Sequence, residues 1–207
     1  MARGWLAAGR GAVLFVGRPT RATANAMYDR LANSYRLLCQ PPPTPSLALA
    51  RGRGPLEESS ITALAPDDDM ARSGSIREGT AEAHCAAWLG SQSRRALMAQ
   101  VGVGTIDQAL MAVLPIRFAT VRQQGLAEKI LIVDECHAFD PYMRREMIEL
   151  LRFHAAMGGS AILLSATLTR PVRQSLVDAF RGGLGGQPSL VHIWRCPRRG
   201  ECGSRWA

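Results

Sequence analysis

The chain has 207 residues, 47% of them apolar, enough for one domain with a buried core or for one domain and a tail. Its formal charge of +8 favours a polyanionic partner, nucleic acid first, although arginine supplies almost all of it and Lys129 is the only lysine. Five scattered cysteines, an odd number, exclude a disulfide framework and point to a reducing cytoplasm, and no run reaches the roughly 18 apolar residues of a membrane span.

The amino terminus has no acid before Asp29 and several arginines, which imitates a targeting peptide, but its apolar core, Ala12 to Val16, is too short for a signal sequence. The same five residues read as a first buried strand. Gly17-Arg18-Pro19-Thr20 then turns into a helix with Thr20 as N-cap and Met27, Leu31, Tyr35 and Leu38 on one face. The start of that helix offers backbone N–H groups beside a hydroxyl, a suitable place for an anion.

Cys39 to about Thr80 changes character: a proline run, Arg51-Gly52-Arg53-Gly54-Pro55 and Asp67-Asp68-Asp69 predict a loop-rich or disordered insertion over 39–80, with room for a short strand at Ser46 to Ala50. Consecutive aspartates in such a loop are solvated charges, not a metal site. Ala83 to Leu89 reads as a helix and Ala96 to Val101 as a strand. Gly102-Val103-Gly104-Thr105 follows as a turn into a helix from Ile106 to about Leu114, which Thr105-Ile106-Asp107-Gln108 would open as a capping box. The glycines would let backbone come close to a ligand.

Ile130-Leu131-Ile132-Val133 reads as a strand buried on both faces, and it stops at Asp134 and Glu135. Ligands of open α/β sheets lie outside the carboxyl ends of the strands, so these acids would emerge where a nucleotide could sit. Two adjacent acids can divide the labour of nucleotide hydrolysis, one holding the water shell of Mg²⁺ and the other directing the attacking water. His137 would face the same cleft.

Asp140-Pro141 caps and opens the next helix, whose inner stripe of Met143, Met147, Leu150, Leu151 and His154 is packing, and Gly158-Gly159 ends it. Ala161 to Leu164 is a further buried strand running into Ser165-Ala166-Thr167. Strand, helix and strand form a right-handed βαβ unit, so Ser165 and Thr167 emerge at the same sheet edge as the acids. A helix from Pro171 to Phe180 follows. From about Gly182 the pattern dissolves, and 183–207 is expected as an irregular tail in which His192, Cys196 and Cys202 match no zinc spacing.

In this order, Pro19-Thr20-Arg21-Ala22-Thr23-Ala24-Asn25-Ala26-Met27, Val103-Gly104-Thr105-Ile106-Asp107-Gln108-Ala109-Leu110, Asp134-Glu135-Cys136-His137-Ala138-Phe139-Asp140 and Leu164-Ser165-Ala166-Thr167-Leu168 resemble the helicase part of the CRISPR-associated helicase-nuclease of type I interference systems, a branch of the superfamily two DExH-box helicases. The resemblance implies an α/β, parallel-sheet RecA-like lobe of the P-loop NTPase class over 1–182. It also implies ATP and Mg²⁺ as cofactors, movement on single-stranded DNA and recruitment by an RNA-guided surveillance complex. It places Asp134 on Mg²⁺ and the nucleotide, and Glu135 on the attacking water. His137, Ser165 and Thr167 would couple hydrolysis to strand movement, while Pro19, Thr20, Gly104 and Thr105 would touch the DNA backbone.

The departures carry equal weight. A P-loop needs Gly-x-x-x-x-Gly-Lys-Ser/Thr so that its lysine can neutralise the β- and γ-phosphates, and Lys129 follows no such loop. The family's nuclease domain and its second lobe have no counterpart either, so the chain is expected to be a fragment, about one first lobe less its first strand and P-loop, whose missing lobe and nuclease domain other chains could supply. Besides the helicase reading stands a DNA- or partner-binding module without ATP turnover, and besides that a truncated, inactive gene product.

Overall fold

The computed structural model describes residues 13–38, 47–50, 61–62, 93–185 and 191–195. Seven strands form one sheet: β1 (Leu14–Arg18), β2 (Leu47–Ala50), β3 (Ile61–Thr62), β4 (Val101–Thr105), β5 (Ile130–Val133), β6 (Ser160–Ser165) and β7 (Val191–Arg195). Their order is β3-β2-β4-β1-β5-β6-β7, all parallel except β3, which pairs antiparallel with β2 at one edge. This is the α/β parallel-sheet class expected. It leaves β1 in the middle of the sheet, between the glycine-bearing β4 and the acid-tipped β5.

One face of the sheet carries helix α1 (Arg21–Leu38), whose Ala24 and Tyr28 pack with Val16, Leu47, Leu49, Val101 and Val103. The other carries α2 (Ser93–Ala96), α3 (Ile106–Leu110), α4 (Ala119–Leu126), α5 (Pro141–Ala156) and α6 (Arg170–Gly183) around Phe15, Leu131, Val133 and Leu163. Alternate residues of β1 thus serve opposite layers, as a strand's period of two requires. β5 and β6 depart from the expectation of burial on both faces. Leu131, Val133, Ala161 and Leu163 are buried, but Ile130, Ile132, Ile162 and Leu164 are only half-buried, because α1 packs chiefly on β1, β2 and β4.

β4 corrects the expected strand at Ala96 to Val101. Ala96 instead ends α2, and the turn after it is fixed by Lys129, whose Nζ donates to the carbonyl oxygens of Leu97 and Ala99 at 2.5 Å each. Gly102 and Gly104 therefore belong to the strand, not to a turn. Their lack of a side chain is required there: a Cβ would lie 2.8 Å from the Phe15 ring at Gly102 and 2.6 Å from the Ala50 carbonyl oxygen at Gly104. The following helix, α3, is shorter than expected, and Met111 to Leu114 lies in turns.

α5 is built as its sequence predicts. Asp140 accepts the Met143 N–H at 2.8 Å, Pro141 opens the first turn, and Met147, Leu150, Leu151 and His154 are buried. Gly158 closes the helix at a φ of 75°, and Gly159 lies flat against the His154 ring.

The boundary expected at 182–183 falls inside the sheet, because β7 pairs in parallel with β6 from Ala161↔Val191 to Ser165↔Arg195. β7, Val191-His192-Ile193-Trp194-Arg195, is short and stands behind the glycine-rich run Gly182-Gly183-Leu184-Gly185-Gly186, which marks a break in pattern, and that is why 183–207 reads as irregular. Of the expected insertion 39–80, β2 and β3 are described. The triple aspartate, the expected helix at Ala83 to Leu89, Cys196 and Cys202 lie outside the described residues. Among the described residues no helix is long and apolar enough to cross a membrane.

Candidate functional site

The carboxyl ends of β4, β1, β5 and β6, four of the five inner strands, set out a row of polar residues. β1 pairs Arg18 with Thr105, and β5 pairs Val133 with Gly17, which brings Asp134 beside Arg18 with its N–H on the Gly17 carbonyl at 3.1 Å. β6 pairs Leu163 with Val133, so Ser165 lies beyond Glu135. The order along the edge is therefore Thr105, Arg18, Asp134 with Glu135, and Ser165. Parallel register alone produces it, since every strand points the same way.

Glu135 adopts the left-handed conformation, φ 58° and ψ 37°, at the start of a single 3₁₀ turn over Cys136–Ala138. Such a conformation costs a non-glycine residue roughly 1–2 kcal/mol. It folds the chain back so that Glu135 Oε2 lies 3.2 Å from His137 Nε2, while His137 Nδ1 lies 3.5 Å from Ser165 Oγ. With Nε2–H donating to the carboxylate, a neutral His137 leaves Nδ1 to accept from the serine hydroxyl. A carboxylate, an imidazole and a hydroxyl thus bridge the tips of β5 and β6. Cys136 inside this turn is a buried thiol donating to the Val133 carbonyl at 3.4 Å, and burial pushes its pKa up to about 12, so it stays protonated.

Asp134 is engaged at both oxygens. Oδ1 accepts the Glu135 N–H at 2.8 Å, and Oδ2 forms an ion pair with Arg18 Nη1. The geometry required of an Mg²⁺ ligand is a carboxylate open to the ion's water shell, and this one faces a guanidinium instead. The residues present do not fit the expected Mg²⁺ role of Asp134. Among the described residues there is also no cluster of three His, Cys, Asp or Glu able to hold a metal ion.

The residues expected on DNA divide into two sets. Thr20 is exposed at the start of α1, where its Oγ1 accepts the Thr23 N–H at 3.2 Å and Thr23 Oγ1 in turn accepts the Thr20 N–H at 3.3 Å; Pro19 beside it is half-buried. Gly104 and Thr105 are buried. The expected capping box is not formed: Thr105 makes no side-chain cap bond, and the Gln108 side-chain oxygen accepts from Arg122 Nη1 at 3.0 Å. A guanidinium is a stronger donor than a backbone N–H, and it wins. Thr167 is exposed two residues past Ser165.

Two participants escape the sequence reading. Arg18 stands inside the Gly17-Arg18-Pro19-Thr20 turn, and its partner is visible only once β1 and β5 are in register. Lys129 precedes the acidic strand, and its partners lie in the turn before β4.

No family model matches the chain. Two curated relatives carry the name CRISPR-associated endonuclease/helicase Cas3. That of Escherichia coli is 38% identical over 166 residues, 78% of this chain and 17% of the relative, and that of Thermus thermophilus is 36% identical over 193 residues, 87% of this chain and 20% of the relative. The crystal structure of T. fusca Cas3 superposes with a TM-score of 0.64 at 36% identity, covering 94% of this chain and 19% of that one.

The chain belongs to the Cas3 helicase-nuclease family.

Its sheet is that of the RecA-like lobe of Cas3, and it spans between 17% and 20% of the length of the curated Cas3 relatives it matches. T. fusca Cas3 has also been solved with ADP, at a TM-score of 0.63 and 34% identity over 90% of this chain and 18% of that one, and with AMPPNP and ATP. A further similar structure, with a TM-score of 0.51 and 30% identity over 89% of this chain and 15% of that one, is of a CRISPR RNA-guided surveillance complex before nicking.

Proposed function

We propose that this chain acts as the first lobe of an ATP-dependent helicase in CRISPR interference, binding the backbone of single-stranded DNA and passing the state of a nucleotide from β5 to β6. The observation that carries the reading is the line from Glu135 through His137 to Ser165. In it Glu135 directs the attacking water, and His137 reports on that carboxylate to Ser165 and onward to Thr167, on the chain that leaves for α6. Nucleotide-bound T. fusca Cas3 supports nucleotide binding, and the surveillance-complex structure supports an RNA-guided complex as partner.

DNA is held by Thr20 and Pro19, with Thr105 contributing through the strand end. Such contacts grip phosphates without reading bases. No step is assigned to Mg²⁺ at Asp134. The 207 residues contain no Gly-x-x-x-x-Gly-Lys-Ser/Thr loop, so ATP turnover draws on phosphate contacts supplied from elsewhere. That favours a second reading, a DNA- or partner-binding module whose own residues do not complete hydrolysis.

The test is fluorescence anisotropy of a labelled oligothymidylate with and without AMPPNP. The helicase-lobe reading expects binding that is indifferent to base sequence and changes several-fold with AMPPNP, with His137→Ala abolishing the nucleotide effect and leaving DNA affinity intact. DNA binding that ignores AMPPNP selects the binding module. No DNA binding at all overturns both.

A further inference from the structure

Arg18 closes β1 at the centre of the sheet edge, between Thr105 and Asp134. Its side chain is 16% exposed and that of Asp134 is 21% exposed, so the pair is shielded from much of the solvent that would otherwise screen it. Nη1 pairs with Asp134 Oδ2, while Nε is buried without a hydrogen bond, so the carboxylate is what holds the guanidinium in place. The remaining oxygen of Asp134 is tied to the Glu135 N–H.

A divalent cation at an acidic strand end needs two things from the carboxylate: negative charge, and lone pairs turned toward its water shell. Arg18 offsets the charge and occupies one lone pair of Oδ2, the backbone occupies one of Oδ1, and the lone pairs that remain lie beside a fixed positive charge. An ion placed on the free side would also stand within a few ångströms of a fixed positive charge that cannot be deprotonated. Glu135 has one oxygen engaged as well, its Oε2 lying 3.2 Å from His137 Nε2.

We infer that Arg18 is the resident cation of Asp134, and that the acidic strand end of this chain takes no divalent metal while the pair stands. The inference concerns the metal alone. It is tested without nucleotide or DNA, so its outcome is separate from that of the helicase-lobe reading.

The probe is Mn²⁺, titrated into the full chain and followed by electron paramagnetic resonance. Wild type is expected to show no Mn²⁺ site that Asp134→Asn removes. Arg18→Gln frees the carboxylate and is expected to gain one Mn²⁺ site at least tenfold tighter than any in wild type, a site lost again in the Arg18→Gln/Asp134→Asn double variant. A folded Arg18→Gln chain that gains no site overturns the inference. A second measurement needs no variant: in wild type, Mn²⁺ should leave the Glu135 backbone amide resonance unbroadened, and selective broadening there at low Mn²⁺ overturns the inference.

Discussion

Two buried bases set how the fold responds to pH. Lys129 is 3% exposed, and burial pushes its pKa from 10.5 down to about 7. Between those values the unfolded chain holds a proton that the native chain has released, so stability rises with pH by up to about 1.4 kcal/mol per unit; below about 7 both states are protonated and this contribution is flat. The urea midpoint should therefore climb between about pH 7 and pH 9, and Lys129→Met should remove the slope. The same change leaves the Leu97 and Ala99 carbonyls without their donor, which costs about 1–3 kcal/mol for each group left unsatisfied. His154 governs the acid side. It is fully buried, its Nε2–H donates to the Ser160 carbonyl at 3.1 Å, and burial lowers its pKa below 6.5, so it stays neutral in the fold. Stability should fall as pH drops through 6.5, because the unfolded chain takes up a proton there that the folded chain resists. Urea melts of His154→Gln across the same range should lack that acid limb.

At the scale of elements, the long helices α1, α5 and α6 were more legible than strand limits, whereas the short α2 and α4 gave no signal of their own. α5 announces itself through Asp140, Pro141, a spaced apolar stripe and two glycines, all local signals, and Asp140→Ala should cost about 1 kcal/mol in a urea melt through loss of the cap. β1 begins two residues later than its apolar run, and β4 begins where the run at Ala96 to Val101 ends. In both cases the neighbouring strand, not the segment's own composition, fixes the limits. Gly102 and Gly104 read as a turn because glycine usually marks one; here they are strand residues chosen for the closeness of Phe15 and Ala50. Gly104→Ala should therefore behave as a wedge between β4 and β2, lowering stability by about 1–3 kcal/mol in the same melt. Asp134, Glu135, His137 and Ser165 were legible as one group because polar residues ending apolar runs must meet at one edge of a parallel sheet. The Arg18 contact was not, since it depends on register between strands far apart in sequence. Nor was the diversion of Gln108 to Arg122, since the competing donor comes from another helix.

For the whole molecule, the net charge of +8 leaves open where DNA would lie, because arginines are spread along the chain. The fold narrows the choice. α1 and α6 follow β1 and β6, so both begin at the carboxyl edge, and exposed Arg170 and Arg173 sit in the first turn of α6 just past Thr167. Arg18, although closer to the centre, is committed to Asp134 and adds no free charge to that edge. A single strand following the edge from α1 to α6 would meet the Thr20 region first and these two arginines last. Each phosphate neutralised on single-stranded nucleic acid contributes about −0.7 to the slope of log affinity against log salt. Replacing Arg170 and Arg173 together by Ala should flatten that slope by about 1.4 and weaken oligothymidylate and mixed-sequence strands alike. Anisotropy titrations at several salt concentrations measure both quantities. An unchanged slope would move the DNA path off α6, and a loss confined to one base composition would mean that these arginines read bases instead of phosphates.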